Sequence, residues 1–228
     1  MIFSNEYKSF QIILSIFQAG IYYLKFDMSW ITTIDFEKAQ GKLKRLYKRV
    51  KGPNNNVDNV LKIHSLRPHT LEGHMALYKA VLHHSGNSLP KWYLEALGVY
   101  VSHLNHCDYC FDHHLAGLQR LWNDDEKSKR YANAVTNDVL DTFFDAKLSL
   151  GASYAKKLTL RVQEVVKSDF TTLKDVGFSE GEVLEINQVV SYFNYVNRSV
   201  IGLGATTAGD ILGLSPNQND EPDNWGHS

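Results

Sequence analysis

The chain has 228 residues, enough to bury the core of one domain or of two small ones. Its 24 Lys and Arg offset 25 Asp and Glu, so it offers no basic footprint for nucleic acid or an anionic membrane. Two cysteines three residues apart cannot staple a secreted fold, because a bond between them closes almost no loop; they suit a reducing, cytoplasmic setting.

Residues 10–25 are strongly apolar but carry Gln11 and Gln18, and fall short of the about 18 residues a spanning helix needs. The start lacks both the basic region and the small-residue cleavage site of a signal peptide. A fresh beginning at Met28-Ser-Trp-Ile marks residues 1–27 as an extension whose place in the native protein is open, ahead of a domain over 28–214 and a polar tail over 215–228.

From residue 34 the pattern is helical. Thr33 or Asp35 caps a helix through FEKAQGKLKRLYKRV that stops at Gly52-Pro53, and a short helical stretch ends before Pro68. Thr70 opens LEGHMALYKAVLHH, which closes at Ser85-Gly86; Pro90 opens an apolar helix containing Glu95. Apolar positions continue through Leu118 and Leu121 to a break at Asn123-Asp-Asp125, and two or three further helices fill 125–168. Ser179-x-x-Glu182 is a capping box that starts the long helix VLEINQVVSYFNYVNRSVIGLG. No alternating apolar run bounded by turn signals argues for a sheet, so the fold class is all-α. Val101-Ser-His-Leu-Asn105 and Val190-Ser-Tyr-Phe-Asn194 form a faint internal repeat, which ordinary helix patterning explains as well.

The chemistry concentrates in Cys107-Asp-Tyr-Cys110-Phe-Asp-His-His114, which holds both cysteines. A Cys-x-x-Cys pair can cycle between dithiol and disulfide, and His114 supplies a group that titrates near neutrality. Glu95 lies twelve residues before Cys107 in an apolar helix, where a carboxylate needs a reason. On one unbroken helix Glu95, His103, Cys107, Cys110 and His114 share a face. A break at Asn105-His106 instead puts the cysteines at a helix start, where free N–H groups favour a thiolate. Burial is expected to lift the Glu95 pKa toward neutrality and make it a base. The competing reading is zinc, held by Cys107, Cys110, His114 and either His103 or His106.

The motif Glu95-x11-Cys107-x2-Cys110-x3-His114, with Leu104-Asn105 ahead and Tyr109 between the cysteines, resembles the alkylhydroperoxidase-D-like branch of the carboxymuconolactone decarboxylase superfamily. Trp30-Ile31, Leu71 to Leu82, Phe193-Asn-Tyr-Val-Asn-Arg198 and Gly202-Leu-Gly204 extend the resemblance to its longer, peroxidase-related members, over Ser29 to Leu214. The resemblance implies a multi-helix homo-oligomer that reduces hydroperoxides. Cys110 attacks, Cys107 resolves, and Glu95 with His114 relays protons. It also implies no haem, flavin or metal, but an external dithiol reductant of protein, lipoyl or thioredoxin type. Tyr109 stands where studied relatives carry a histidine, so its support of the relay is weaker, with His103 or His113 as a candidate to compensate. A thiol–disulfide electron carrier and a redox-sensing dithiol protein are the alternatives.

Overall fold

The computed structural model describes residues 28–216 and 224–227. Among them are nine α-helices: α1 (Gly41–Val50), α2 (Asn59–Lys62), α3 (Pro68–Leu82), α4 (Lys91–Leu104), α5 (Asp108–Trp122), α6 (Asp125–Thr136), α7 (Ala146–Leu160), α8 (Lys167–Asp175) and α9 (Glu180–Leu203). The one strand-like pairing among the described residues is an isolated bridge between Pro216 and His227. The extension at 1–27 lies outside the described residues, and no helix among those described is long and apolar enough to cross a membrane.

Helix α4 is the hub. It is buried continuously from Tyr93 to Ser102 and packs on α5, α7 and α9, as expected of a helix apolar all round. Gly98 permits that packing: a Cβ there would stand 2.2 Å from the ring of Phe193 on α9, so the two helices meet with ring against backbone. A polar ladder continues the contact. Asn105 Nδ2 donates to Asn194 Oδ1 (3.2 Å) and Asn197 Oδ1 (3.0 Å), and Asn197 Nδ2 donates to Ser102 Oγ (3.1 Å). The two stretches compared as a repeat therefore touch across this interface at Asn105 and Asn194.

Local chemistry explains most helix ends. Ser179 and Glu182 exchange the two hydrogen bonds of a capping box at the start of α9. Asn123 ends α5 in the left-handed conformation, and the Asp124 side chain caps α6 through the Lys127 N–H. The first helix starts later than its apolar pattern suggests. Asp35 does close a turn, but Gly41 takes φ +53°, which interrupts the helix, and α1 runs only from there. Helix α3 starts two residues earlier than Thr70, because Pro68 suits the first turn.

The break ahead of the cysteines falls at the expected place, yet His106, not Asn105, takes positive φ (55°). Asn105 stays near the right-handed region because its amide is engaged by Asn194 and Asn197. The described part of the polar tail packs on the domain. Trp225 is buried under the Arg49 guanidinium (3.6 Å), and Lys79 Nζ donates to the Asn224 carbonyl (2.5 Å).

Candidate active site

The turn at His106 places Cys107 as the N-cap of α5 and Cys110 one turn inside it. Both thiols are reduced and buried. The Cys107 thiol is held below its ordinary value, first by a hydrogen bond from the Cys110 thiol, then by the Cys110 backbone N–H and Asn197, against the opposing effect of burial. The open first turn of α5 adds to the larger effect of the Cys110 thiol. Cys110 behaves oppositely: burial pushes its thiol well up, and donating to Cys107 raises it further.

Helix α4 brings Glu95 to α5, where its Oε2 lies 2.8 Å from His114 Nδ1. Burial alone would push the Glu95 carboxyl up. The charge and hydrogen bond of His114, together with His83 and Lys91, outweigh it and leave the carboxyl below its usual value. The expectation that burial makes Glu95 a near-neutral base is therefore corrected: it is an ionised carboxylate. An ionised carboxylate only accepts, so His114 donates through Nδ1–H and its Nε2 is left to exchange a proton. Glu95 Oε1 faces a second imidazole, His83 Nε2, at 3.9 Å. Burial pushes His83 down to about 3, with the Glu95 carboxylate pulling the other way.

Glu95, His114 and Cys110 line one cavity of about 50 Å³. Cys110 and His114 share a face of α5 at a spacing of four residues. Stacked Tyr78 and Tyr192 (centroids 5.3 Å apart) form another wall, and the Tyr78 ring meets both His83 and His114 edge-on. The lining also includes the polar side chains of Asp58, His74, His113 and His227. Burial and then Asp210 push Asp58 up to about 6. Cys107 faces elsewhere, into a separate open groove of about 290 Å³ with Asp108, Asp112, Val200 and Thr206.

Of the two supporting candidates from the sequence, Tyr109 lines this cavity and His103 does not. Tyr109 Oη donates to Asp210 Oδ2 (2.6 Å) and accepts from the Val60 N–H (3.0 Å), so it ties α5 to α2 and to the segment after α9. His103 turns to Phe111 (ring centroids 6.1 Å apart) and lies near Asp138. His83, Tyr78, His74, Asp58 and His227 escaped the sequence reading. The histidine density between residues 64 and 84 was the one signal that could have raised them. Among the described residues no group of three or more His, Cys, Asp or Glu is disposed to hold a metal ion.

No family model and no curated protein matches the chain. Solved structures do. A peroxidase-related protein from Silicibacter sp. TM1040 superposes with a TM-score of 0.58 at 25% identity, over 67% of this chain and 78% of its own. The alkylhydroperoxidase AhpD core of a peroxidase-related protein from Ralstonia eutropha JMP134 superposes at 0.67 with 20% identity, over 79% and 92%. The debrominase Bmp8 superposes at 0.62 with 15% identity, over 77% and 90%.

Proposed function

The chain has the all-helical alkylhydroperoxidase-D-like fold of the peroxidase-related proteins, and from that fold and the groups within it we propose that it is a cysteine-dependent peroxidase. The observation that carries the reading is the convergence of Cys110, His114 and Glu95 on one cavity, with His114 oriented by the Glu95 carboxylate. His114 Nε2 takes the Cys110 proton, directly or through one water, and the thiolate attacks the outer oxygen of a hydroperoxide. The O–O bond breaks, Cys110 becomes a sulfenic acid, and the leaving alkoxide takes the proton back to become an alcohol. Cys107 then attacks the sulfenic sulfur; the disulfide forms and the hydroxyl departs as water. An external dithiol returns two electrons and two protons and leaves as its own disulfide. The cycle draws its electrons from that dithiol, without haem, flavin or metal. Its setting is the reducing cytoplasm. The exposed apolar residues Trp30, Leu184, Tyr195 and Ile201 favour assembly with further copies of the chain.

The test is stopped-flow oxidation of the reduced protein by hydrogen peroxide, with mass spectrometry of the product. The expected product has lost two hydrogens and carries a Cys107–Cys110 disulfide. Cys110→Ser abolishes oxidation, whereas Cys107→Ser stops at a sulfenic acid that dimedone captures. Loss of the first step in Cys107→Ser but not in Cys110→Ser reverses the two roles.

One observation favours a second reading. Cys107 has the lowered thiol and faces the open groove, as a thiol that attacks a partner's disulfide would. An electron carrier of that kind exchanges rapidly with protein disulfides and consumes peroxide only when a second peroxidase is added. The debrominase among the similar structures is a reminder that this fold alone does not specify the reaction.

A further inference from the structure

Within the peroxidase reading, the cavity itself speaks to the substrate. We infer that it is a binding site for a small, uncharged hydroperoxide, hydrogen peroxide above all, and that the segment after α9 excludes bulky and anionic hydroperoxides.

Size is the first argument. The cavity offers about 50 Å³, against the about 10–15 Å³ that one water needs and the about 150 Å³ of an apolar cavity that takes benzene. Two bonded oxygens fit beside Cys110, whereas an aryl ring or a fatty chain needs several times that space.

The limiting wall is fastened down. Gly213, Leu214 and Ser215 close the cavity over Gly117 of α5. Gly213 has φ +78°, and a Cβ there would lie 2.8 Å from the Ala116–Gly117 backbone, so this wall rests on α5 without slack. Arg120 grips it by donating to the carbonyls of Leu212 (3.0 Å) and Gly213 (3.2 Å). Upstream, Asp210 accepts from the Asn59 N–H and from Tyr109, and the Asn59 amide holds the carbonyls of Thr206 (2.8 Å) and Ala208 (2.9 Å).

The lining supplies the third argument. His74 Nδ1 and His227 Nδ1 are buried without a hydrogen-bond partner, and His113 Nε2 lies 3.3 Å from Asp210 Oδ2 without hydrogen-bond alignment. Buried polar atoms in native proteins have partners, so the cavity suits a guest that both donates and accepts. Hydrogen peroxide does both. Besides the histidines His74, His113, His114 and His227, the lining includes the carboxylates of Glu95 and Asp58 and no lysine or arginine, a balance that disfavours an anion such as a fatty-acid hydroperoxide. Burial pushes His74 down to about 3 and His227 to about 4, so neither offers a compensating positive charge at neutral pH.

The experiment compares second-order rate constants for oxidation of the reduced full chain by hydrogen peroxide, cumene hydroperoxide and linoleic acid hydroperoxide at pH 7. The expected order puts hydrogen peroxide at least tenfold ahead of both. Equal or faster oxidation by either large hydroperoxide overturns the inference while leaving the peroxidase reading standing. Failure of all three to oxidise the thiols removes that reading, and the inference with it. Arg120→Met keeps an apolar stem but frees the wall, and is expected to narrow the hydrogen peroxide to cumene hydroperoxide ratio about tenfold. An unchanged ratio in the folded variant refutes the wall as the selector. Should that variant fail to fold, Arg120→Lys makes the same comparison, because an ammonium cannot hold both carbonyls as the guanidinium fork does.

Discussion

Replacing Glu95 with Gln removes one charge and almost no volume, and so isolates what the carboxylate does for His114. Its Oε2 sits 2.8 Å from His114 Nδ1, with both side chains largely buried. When His114 takes the thiol proton, the imidazolium forms beside that negative charge. Two unit charges about 4 Å apart attract by about 4 kcal/mol at the effective dielectric that suits protein sites. A Gln carbonyl in the same place still accepts an ordinary hydrogen bond worth about 1 kcal/mol. The difference, about 3 kcal/mol, corresponds to a little over 10²-fold in the rate of Cys110 oxidation. Stopped-flow tryptophan fluorescence with hydrogen peroxide measures that rate, and circular dichroism checks that the variant is folded. Long-range proton–nitrogen NMR on the native protein should show His114 protonated at Nδ1, the tautomer the carboxylate imposes. A folded Glu95→Gln variant that oxidises within threefold of the native rate refutes the orienting role and leaves Glu95 a mere neighbour.

Tyr109→Phe tests whether that residue is a strut or a relay. Leaving the Val60 N–H and an Asp210 oxygen without their shared hydroxyl costs about 2 kcal/mol, seen as a lower urea midpoint. Oxidation slows by less than tenfold; a loss as large as that of Glu95→Gln makes Tyr109 part of the relay. Asp58 gives a pH signature. Its folded value of about 6, against an ordinary 3.8, means that the fold prefers the protonated acid. That contribution is fully present below the unfolded value and is lost as pH rises through about 6, a change of about 3 kcal/mol. Asp58→Asn keeps an oxygen for the Asn56 amide and should gain stability over the native chain as pH rises from about 3.8 to about 6, with no further gain above. A difference that does not vary across that range removes the raised value. Glu95 acts with the opposite sign: its carboxyl is depressed, so its contribution holds above the unfolded value and is lost as pH falls through the folded one.

The local features of the site were legible along the chain because their causes lie within a few residues of one another. The spacing of Cys110 and His114 sets them on one helix face, and the break before Cys107 makes it an N-cap. Ser179 and Glu182 announce the start of α9 by the same short-range chemistry, and the spacing of Glu95, the cysteines and His114 marked the right family of folds. Through-space effects were not legible. Apolar periodicity reports that Glu95 is buried, and burial alone argues for a raised pKa. The fold reverses the sign by bringing His114 from the next helix, His83 from the end of α3 and Lys91 from the start of α4 around one carboxylate. Tyr109 reads as a weakened relay until Asp210, 101 residues later, takes its hydroxyl. The cavity is likewise a tertiary product, because its walls come from α2, α3, α4, α5, α9 and the segments after α9. Charge, tautomer and volume at a site depend on distances between segments remote in the chain, and those distances exist only once the helices have packed.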